Sequence, residues 1–352
     1  MTWRDAFRDQ AESCAALGSP FTARVLTLLA DRGLPPGPVM SRIAAWPGNI
    51  TSRGESVPLR LAGALHGAVL ERRAPALAML YPPNPAPDDG ALHARLAETI
   101  TVEAGWIDRR LDSAPQTNEV GRSAVLIAAA AWLTLRTGLP LVLSELGASA
   151  GLNLNFDRFA LAGAGRRVGP ATAALTLAPD WSGPPPEPVA LRVLERRGAD
   201  LAPPDPVADR LRLLSFLWPD QPERMARMRA ALAEAARHPV AVERGDAVAF
   251  LARRLGRAHA GALHLVYHTV AWQYFPTAGQ VRGEAILQAA GRAATPRAPL
   301  ARLAMEADGS GPGAGIGLQL WPDGRIWQFG RIDFHGRWID WRPPSHEETL
   351  PW

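Results

Sequence analysis

The sequence predicts an α/β fold in which a parallel sheet ends in an antiparallel hairpin and is preceded by a helical N-terminal region. Up to about residue 137, apolar residues recur at three- and four-residue spacing, as on one face of a helix. Beyond Pro140, short and continuously apolar segments alternate with helical ones, which is typical of parallel strands covered by helices on both faces. Near the end of the chain, Pro322-Asp323-Gly324 separates two strand-like segments and indicates a hairpin.

These patterns place individual elements. Thr117 or Asn118 is a suitable N-cap for a helix that continues to Arg136. The predicted strands of the parallel part are 141–146, 189–194, 240–243, 263–267 and 300–306, with helices over 209–237 and 246–257, a hairpin of 317–321 and 326–332, and a further strand over 337–341. We therefore predict a helical region at residues 1–116 and a single α/β domain at residues 117–352.

Composition excludes several classes of protein. An apolar content of 47% with 20% charged residues is that of a globular chain. All 38 basic residues are Arg and are interspersed with acidic ones, so a net charge of +4 argues against a nucleic-acid partner. Cys14 is the only cysteine, and the longest apolar run, 124–135, is shorter than the about 20 residues that span a bilayer. We predict a cytoplasmic protein without a membrane partner and leave its oligomeric state open.

The most informative segment follows the first predicted strand. Glu145 stands two residues before Gly147, and the small residues Ala148, Ser149 and Gly151 allow the backbone to approach a ligand closely. The segment resembles the acidic-x-Gly-x-Gly-x-Gly pattern of S-adenosylmethionine-dependent methyltransferases, with Ser149 replacing the middle glycine. In that family the loop holds the methionine part of the cofactor. The resemblance implies a Rossmann-like methyltransferase sheet, with these residues and Asn153 at the cofactor.

The same residues also match Gly-x-Ser-x-Gly, the nucleophile elbow of α/β-hydrolases. In that interpretation Ser149 is a nucleophile, with His335 or His346 as its base. Against it, the residues before 140 are helical in pattern, no His-Gly-Gly segment precedes the turn, and Glu145 has no task. A third interpretation is a methyltransferase-like core that binds a ligand or partner without catalysis. The simplest interpretation of the turn itself is that it joins a strand to a helix and contacts no ligand.

Two further segments are candidates for the cofactor pocket, because ligands of such sheets lie beyond the carboxyl ends of the strands. Asp200 follows the second strand, and we prefer it to Glu195 as the carboxylate that accepts ribose hydroxyls. Gly245-Asp246-Ala247 follows the third strand and resembles the methyltransferase segment that reaches the adenine amino group. Asp246 is equally well placed as an N-cap of the following helix.

Candidates for the acceptor side follow the fourth strand. His268 could act as a base, and Trp272 and Tyr274 could stack on or orient a planar substrate. A lone histidine at a strand end is also a common structural residue. Asn118, Glu119 and Arg122 could fold over the bound molecules, although a helix cap with a Glu119–Arg122 ion pair explains them as well. No spacing of His, Cys, Asp or Glu suggests a metal site.

Several motifs together resemble an uncharacterised bacterial family (domain of unknown function 2332) over nearly the whole chain. These motifs are Thr117-Asn-Glu-Val-Gly-Arg, Glu145-Leu-Gly-Ala-Ser-Ala-Gly-Leu-Asn-Leu, Leu217-Trp-Pro-Asp-Gln, Gly245-Asp-Ala and Phe334-His-Gly-Arg-Trp. The resemblance implies the Rossmann-like core and no specific reaction. The expected function is therefore an S-adenosylmethionine-dependent methyltransferase that acts on a small molecule, with a serine hydrolase or a non-catalytic binding protein as alternatives.

Overall fold

The computed structural model describes residues 2–85, 88–116 and 118–344, and the chain divides into two units. The first consists of Met1–Thr117 and Asp209–Arg229, and the second of Asn118–Ala208 and Ala230–Trp352. The segment Asp209–Arg229, which the sequence pattern attached to the α/β domain, thus clusters with the N-terminal helices.

The elements of the described residues are as follows. The α-helices are α1 (Trp3–Ala16), α2 (Pro20–Arg32), α3 (Pro38–Ala44), α4 (Val57–Leu70), α5 (Pro75–Ala78), α6 (Asp89–Val102), α7 (Ala104–Arg110), α8 (Ser123–Thr137), α9 (Arg210–Ser215), α10 (Pro222–Arg237), α11 (Ala247–Leu255) and α12 (Thr277–Ala293). Short 3-10 helices span Val120–Arg122, Leu152–Arg158 and Trp272–Tyr274. The strands are β1 (Leu141–Leu146), β2 (Ala160–Gly163), β3 (Arg166–Val168), β4 (Thr176–Leu177), β5 (Asp180–Ser182), β6 (Val193–Asp200), β7 (Ala241–Arg244), β8 (Leu263–Thr269), β9 (Leu300–Glu306), β10 (Ala314–Trp321), β11 (Arg325–Ile332) and β12 (Trp338–Trp341).

In the helical unit, the turn between α1 and α2 is held by the segment that precedes α10. Asp220 accepts hydrogen bonds from the Ser19 hydroxyl (2.5 Å) and from the Phe21 N–H (2.8 Å) at the start of α2. The Gln221 amide donates to the carbonyls of Leu17 and Gly18 at the end of α1, both at 3.1 Å. These bonds satisfy helix-terminal groups that water would otherwise have to solvate, and they explain why this segment clusters with the N-terminal helices.

The second unit is built on a large mixed sheet with the order β5-β12-β11-β10-β9-β8-β1-β6-β7. β7, β6, β1, β8 and β9 pair with one another in parallel. The pairs β9–β10, β10–β11 and β11–β12 are antiparallel, and β5 joins β12 in parallel. From β1 the chain first adds β6 and β7 on one side and then returns to add β8 and β9 on the other. The strand order therefore reverses at β1, and the carboxyl ends of β1, β6 and β8 border the crevice that such a reversal creates.

Most of the predicted strands are confirmed, with small shifts at their ends. β1 and β9 match the predicted bounds, and the hairpin of β10 and β11 is present. β7 begins one residue later than predicted, and β8 continues two residues further, to Thr269. Every residue of β1 and of β8 is buried, which is the property that made both strands visible as apolar runs.

Two predicted elements were wrong. The second strand was predicted over 189–194 but is β6, at Val193–Asp200. β6 contains several charged residues and therefore lacks the continuous apolar run by which the other strands were predicted. These residues form ion pairs, such as that of Arg196 with Asp157 at 2.9 Å. The helix predicted over 209–237 is two helices, α9 and α10, since the segment between them contains Pro219 and supplies the bonds to the α1–α2 turn.

The contact between α12 and β10 yields a test of the packing. An ideal β-carbon on Gly291 would overlap the indole of Trp321, whereas one on Gly279 of the same helix would make ordinary contacts at 3.8–3.9 Å. Gly291→Ala should therefore lower the free energy of unfolding by about 1–3 kcal/mol through overpacking. Gly279→Ala should leave it unchanged or raise it by up to about 1 kcal/mol. Urea unfolding of both variants measures the two free energies. If the two substitutions stabilise the protein equally, the packing of Gly291 against Trp321 is contradicted.

Candidate functional site

The turn that follows β1 has an unusual backbone. Its φ angles are positive at Gly147 (72°), at Ser149 (50°) and at Gly151 (73°). Positive φ is rare for a residue with a side chain, so Ser149 is held there by its surroundings. The N–H groups of Gly147 and Ala148 both donate to the carbonyl of Ala199 in β6, at 2.9 and 3.0 Å. The turn therefore bends back over the end of the neighbouring strand.

Asp200 connects this turn to β6. The Ser149 N–H donates to Asp200 Oδ2 at 2.9 Å, and the Ala202 N–H donates to Asp200 Oδ1 at 3.0 Å. Asp200 was expected in a loop, but it is the last residue of β6. Glu195 lies near the start of the same strand and pairs with Arg254 at 2.6 Å. Of the two predicted carboxylates, Asp200 is thus the one that contacts the glycine turn.

Close packing explains why the residues around the turn are small. An ideal β-carbon on Gly147 would lie 2.6 Å from Ala271 Cβ, and one on Gly151 would lie 2.7 Å from both Val240 and Val242. On the strand side, a β-carbon on Gly198 would lie 2.5 Å from Ala148 Cβ. The sequence analysis missed Gly198 and Ala271. A glycine inside a strand is a signal of close backbone approach and could have identified Gly198.

Glu145 is buried, with 2% of its surface exposed. Burial, together with the nearby negative charge of Asp200, raises the pKa of this carboxyl well above its ordinary value, although the Tyr267 hydroxyl at 3.5 Å lowers it. The Tyr267 hydroxyl also donates to the carbonyl of Asn153 at 3.3 Å. The carboxyl of Glu145 thus lies beneath the turn, in an environment that favours its neutral form.

The predicted substrate residues before α8 brace the turn. Asn118 Oδ1 accepts the Leu152 N–H at 2.9 Å, and the Asn153 amide donates to the Glu119 carbonyl at 3.4 Å. The Asn153 side chain also accepts the Ser123 hydroxyl at 2.8 Å. The predicted N-cap Thr117 lies outside the described residues; the side chain of Glu119 caps the 3-10 helix by accepting the Gly121 N–H.

Arg122 joins three loops of this unit. Its guanidinium donates to the carbonyl of Thr269 at the end of β8 (2.7 Å) and to the carbonyl of Phe334 in the turn before β12 (3.1 Å). In that turn, the buried Asp333 binds Arg337 at 2.8 Å. The motifs around Arg122 and Phe334, far apart in sequence, therefore meet at the end of β8.

The segment after β7 lies beside the end of β6. The Gly245 N–H donates to the carbonyl of Asp200 at 2.9 Å, and nothing lies within 4 Å of an ideal β-carbon on Gly245. Asp246 is exposed and accepts the Ala249 N–H at 2.7 Å, so it is the N-cap of α11, and it also pairs with Arg282 at 3.3 Å. Ala247 is buried beneath it. This segment provides open space next to Asp200.

His268 is 1% exposed, and both of its ring nitrogens are engaged. Nδ1 lies 2.7 Å from Glu306 Oε1, and Arg302 Nε donates to Nε2 at 3.1 Å. Since Nε2 accepts a hydrogen bond, Nδ1 must be the nitrogen that carries the proton in the neutral ring. Burial lowers the pKa of His268, which the contact with Glu306 only partly offsets. The ring is therefore a neutral link between two charged side chains.

Glu306, the last residue of β9, organises the loop after β8. Besides His268, it accepts the N–H groups of Ala271 (3.0 Å), Trp272 (3.0 Å) and Gln273 (3.4 Å). These bonds hold a loop in which Val270 has a φ of 54°, a strained conformation for a β-branched residue. The sequence analysis missed Glu306, although an acidic residue at the carboxyl end of a strand was the signal that identified Asp200.

The two aromatic candidates on this loop differ in exposure. Trp272 stacks on His268 with ring centroids 5.1 Å apart, and its ring edge lies against Gly283 of α12. Its indole is thus part of the packing. Tyr274 is 72% exposed, so its ring can reach a bound molecule.

The hydroxyl of Ser149 is buried and has no hydrogen-bond partner within the described residues. Of the predicted bases, His346 lies outside the described residues. The N–H of His335 donates to Asp333 at 2.9 Å. A serine nucleophile needs a base within hydrogen-bonding reach, and the described residues provide Ser149 with none.

Residues 2–85, 88–116 and 118–344 contain no group of three or more His, Cys, Asp or Glu side chains that could hold a metal ion. Across these same ranges, no helix combines the length and the apolar character needed to cross a membrane.

Buried histidines make stability depend on pH. Burial lowers the pKa of His66 from 6.5 to about 4 and that of His264 to about 3. Below pH 6.5 each of these two histidines therefore binds more protons in the unfolded chain than in the folded one, and each should reduce the free energy of unfolding by up to about 1.4 kcal/mol per pH unit. Unfolding between pH 7 and pH 4 should show this loss. His264→Gln should flatten the slope more than the control His238→Gln, which changes a half-buried histidine. An unchanged slope in His264→Gln contradicts the contribution of the buried His264.

Comparison with known proteins identifies a family but no activity. No curated protein and no solved structure matches the chain. A family model described as an uncharacterised protein conserved in bacteria matches residues 4–341, nearly the whole chain. The chain therefore belongs to the DUF2332 family of uncharacterised bacterial proteins.

Proposed function

We propose that the protein is an S-adenosylmethionine-dependent methyltransferase that acts on a small molecule. The observation that carries the proposal is the bond between the Ser149 N–H and Asp200. It joins a glycine turn to a carboxylate at the end of the adjacent strand, where the strand order reverses. Nucleoside cofactors bind at such reversals. The antiparallel β10 and β11 after a parallel sheet also favour the Rossmann-like methyltransferase class.

Asp200 and the residues after β7 would hold the nucleoside. Each oxygen of a carboxylate has two lone pairs, so an oxygen that accepts one N–H can accept a second donor such as a ribose hydroxyl. The Gly245 N–H donates to the Asp200 carbonyl, so the open space beside Gly245 is close to Asp200. Asp246 and Ala247 are the next two residues of the chain. An adenine ring in this space would lie beside the first turn of α11.

The glycine turn would contact the remainder of the cofactor. Gly147 and Gly151 pack against Ala271, Val240 and Val242, so the group that this turn would offer to a ligand is the buried Ser149 hydroxyl, which can donate a hydrogen bond. S-adenosylmethionine supplies an activated methyl group on a positively charged sulfonium, which the carboxylate of Asp200 favours electrostatically. Proximity and alignment are then the protein's main contribution.

The acceptor would lie near the loop after β8. Tyr274 is exposed and can orient it. The predicted base role of His268 requires its ring to release either Glu306 or Arg302. In the proposed function His268 therefore orients the loop 271–273 through Glu306. Asn118, Glu119 and Arg122 support the turn and the end of β8 instead of contacting the substrate.

Calorimetric titration with S-adenosylmethionine and S-adenosylhomocysteine tests the proposal. Micromolar binding, on the order of −8 kcal/mol, is expected. Asp200→Asn should weaken it by about tenfold or more, because it removes the charge and an acceptor. Asp323→Asn is the matched control. Asp323 also accepts a backbone N–H, but it lies in the β10–β11 turn, beside the amino end of β9 and thus away from the carboxyl ends of the parallel strands. Absence of binding by the wild-type protein rules the proposal out.

A serine hydrolase is the second candidate, because Ser149 combines a positive φ with a buried hydroxyl that has no partner within the described residues. Labelling by a fluorophosphonate probe that disappears in Ser149→Ala would establish it. If neither labelling nor cofactor binding occurs, the remaining candidate is a methyltransferase-like core without catalytic activity. The packing of Ala271 against Gly147 would then fill the cleft above the turn.

A further inference from the structure

We infer that Asp200 makes the glycine turn selective for a nucleoside that carries no phosphate, because its carboxylate occupies backbone donors that a phosphate would need. The inference deepens the proposed function and rests on it for the choice of an adenosyl ligand. The structural basis of the inference is that the N–H groups of the turn are already hydrogen-bonded within the chain. This observation holds whether or not the protein is a methyltransferase.

The turn has the backbone of an anion-binding site. Positive φ angles at residues 147, 149 and 151 alternate with negative ones at residues 148 and 150. The N–H groups of Gly147 and Ala148 converge on one acceptor, as do those of the backbone nests that bind phosphate in many nucleotide-binding proteins. The backbone of the turn by itself is therefore compatible with a phosphate site as well as with a nucleoside site.

In this protein the donors are already used by the chain itself. The acceptors are Ala199 O for the N–H groups of Gly147 and Ala148, Asp200 Oδ2 for Ser149, Ala148 O for Gly151, and Asn118 Oδ1 for Leu152. Asp200 is the anionic acceptor among them and holds the Ser149 N–H, so a negative charge of the chain already lies against the turn.

A phosphate would have to displace the carboxylate or lie beside it. Displacement leaves a charged side chain without its backbone donors, and two anions within a few ångströms repel each other. Dinucleotide-binding turns differ, because there the pyrophosphate rests on the N-terminus of a long α-helix. Here the turn leads into the short 3-10 helix Leu152–Arg158, whose first N–H is bound to Asn118.

Direct calorimetric titration of the wild-type protein with adenosine, ADP and NAD⁺ tests the selectivity. Adenosine should bind, and ADP and NAD⁺ should bind at least 100-fold more weakly. Binding of ADP or NAD⁺ within tenfold of adenosine overturns the inference.

The variant Asp200→Ala tests the cause. It frees the N–H groups of Ser149 and Ala202 and removes the negative charge, so the vacated position should accept an anion. Inorganic phosphate should raise the Tm of Asp200→Ala by several degrees relative to chloride at equal ionic strength. Neither the wild-type protein nor Asp323→Ala should respond. A folded Asp200→Ala that phosphate does not stabilise, or an equal response of the wild type, overturns the inference.

The two measurements also separate this inference from the proposed function. If Asp200→Ala fails to fold, the wild-type titrations decide. If the wild-type protein binds neither adenosine nor S-adenosylhomocysteine, the proposed function is rejected. In that case, a gain of phosphate binding in Asp200→Ala still supports the inference that the Asp200 carboxylate excludes phosphate from the turn. The absence of such a gain overturns that inference.

Discussion

The hydrogen bond from the Ser149 N–H to Asp200 is the constraint on which the rest of the candidate site depends. It requires the turn after β1 to fold back onto the end of β6, and the same approach brings Gly147 and Ala148 to the carbonyl of Ala199. This is possible because β1 and β6 pair in parallel with Glu145 opposite Gly198, which has no side chain to block Ala148. The position of the turn thus depends on the register of β1 and β6, on the absence of a side chain at Gly198 and on the carboxylate of Asp200.

The loop after β8 is held by a comparable arrangement. Glu306 collects three backbone N–H groups and the ring of His268, and these bonds offset the strain of a valine at positive φ, which costs about 1–3 kcal/mol. The loop in turn places Ala271 against Gly147. The two loops that border the crevice are therefore each fixed by a carboxylate at the end of a neighbouring strand.

The carboxyl groups at this edge have different roles because their surroundings differ. Asp200 and Glu306 both accept backbone N–H groups. For Glu306, the hydrogen bonds from His268 and from the loop outweigh burial and lower the pKa of its carboxyl. Glu145 is buried under the turn with Tyr267 as its neighbour, and burial raises its pKa. In the proposed function Asp200 therefore takes the position beside the cationic ligand, although the sequence pattern gave Glu145 the leading place.

Local sequence patterns were enough to predict the α/β class, the buried strands β1, β8 and β9, the terminal hairpin and the position of the glycine turn. These follow from local patterns, since apolar runs, turn residues and small side chains act over a few positions. The sequence could not locate β6, whose charged residues are covered by ion pairs with distant segments. Nor could it assign His268, because Glu306 and Arg302 reach that ring only once β8 and β9 pair. The tertiary structure alone decided which polar groups are already bound within the chain, since hydrogen bonds between strand ends depend on sheet order, which no local pattern encodes.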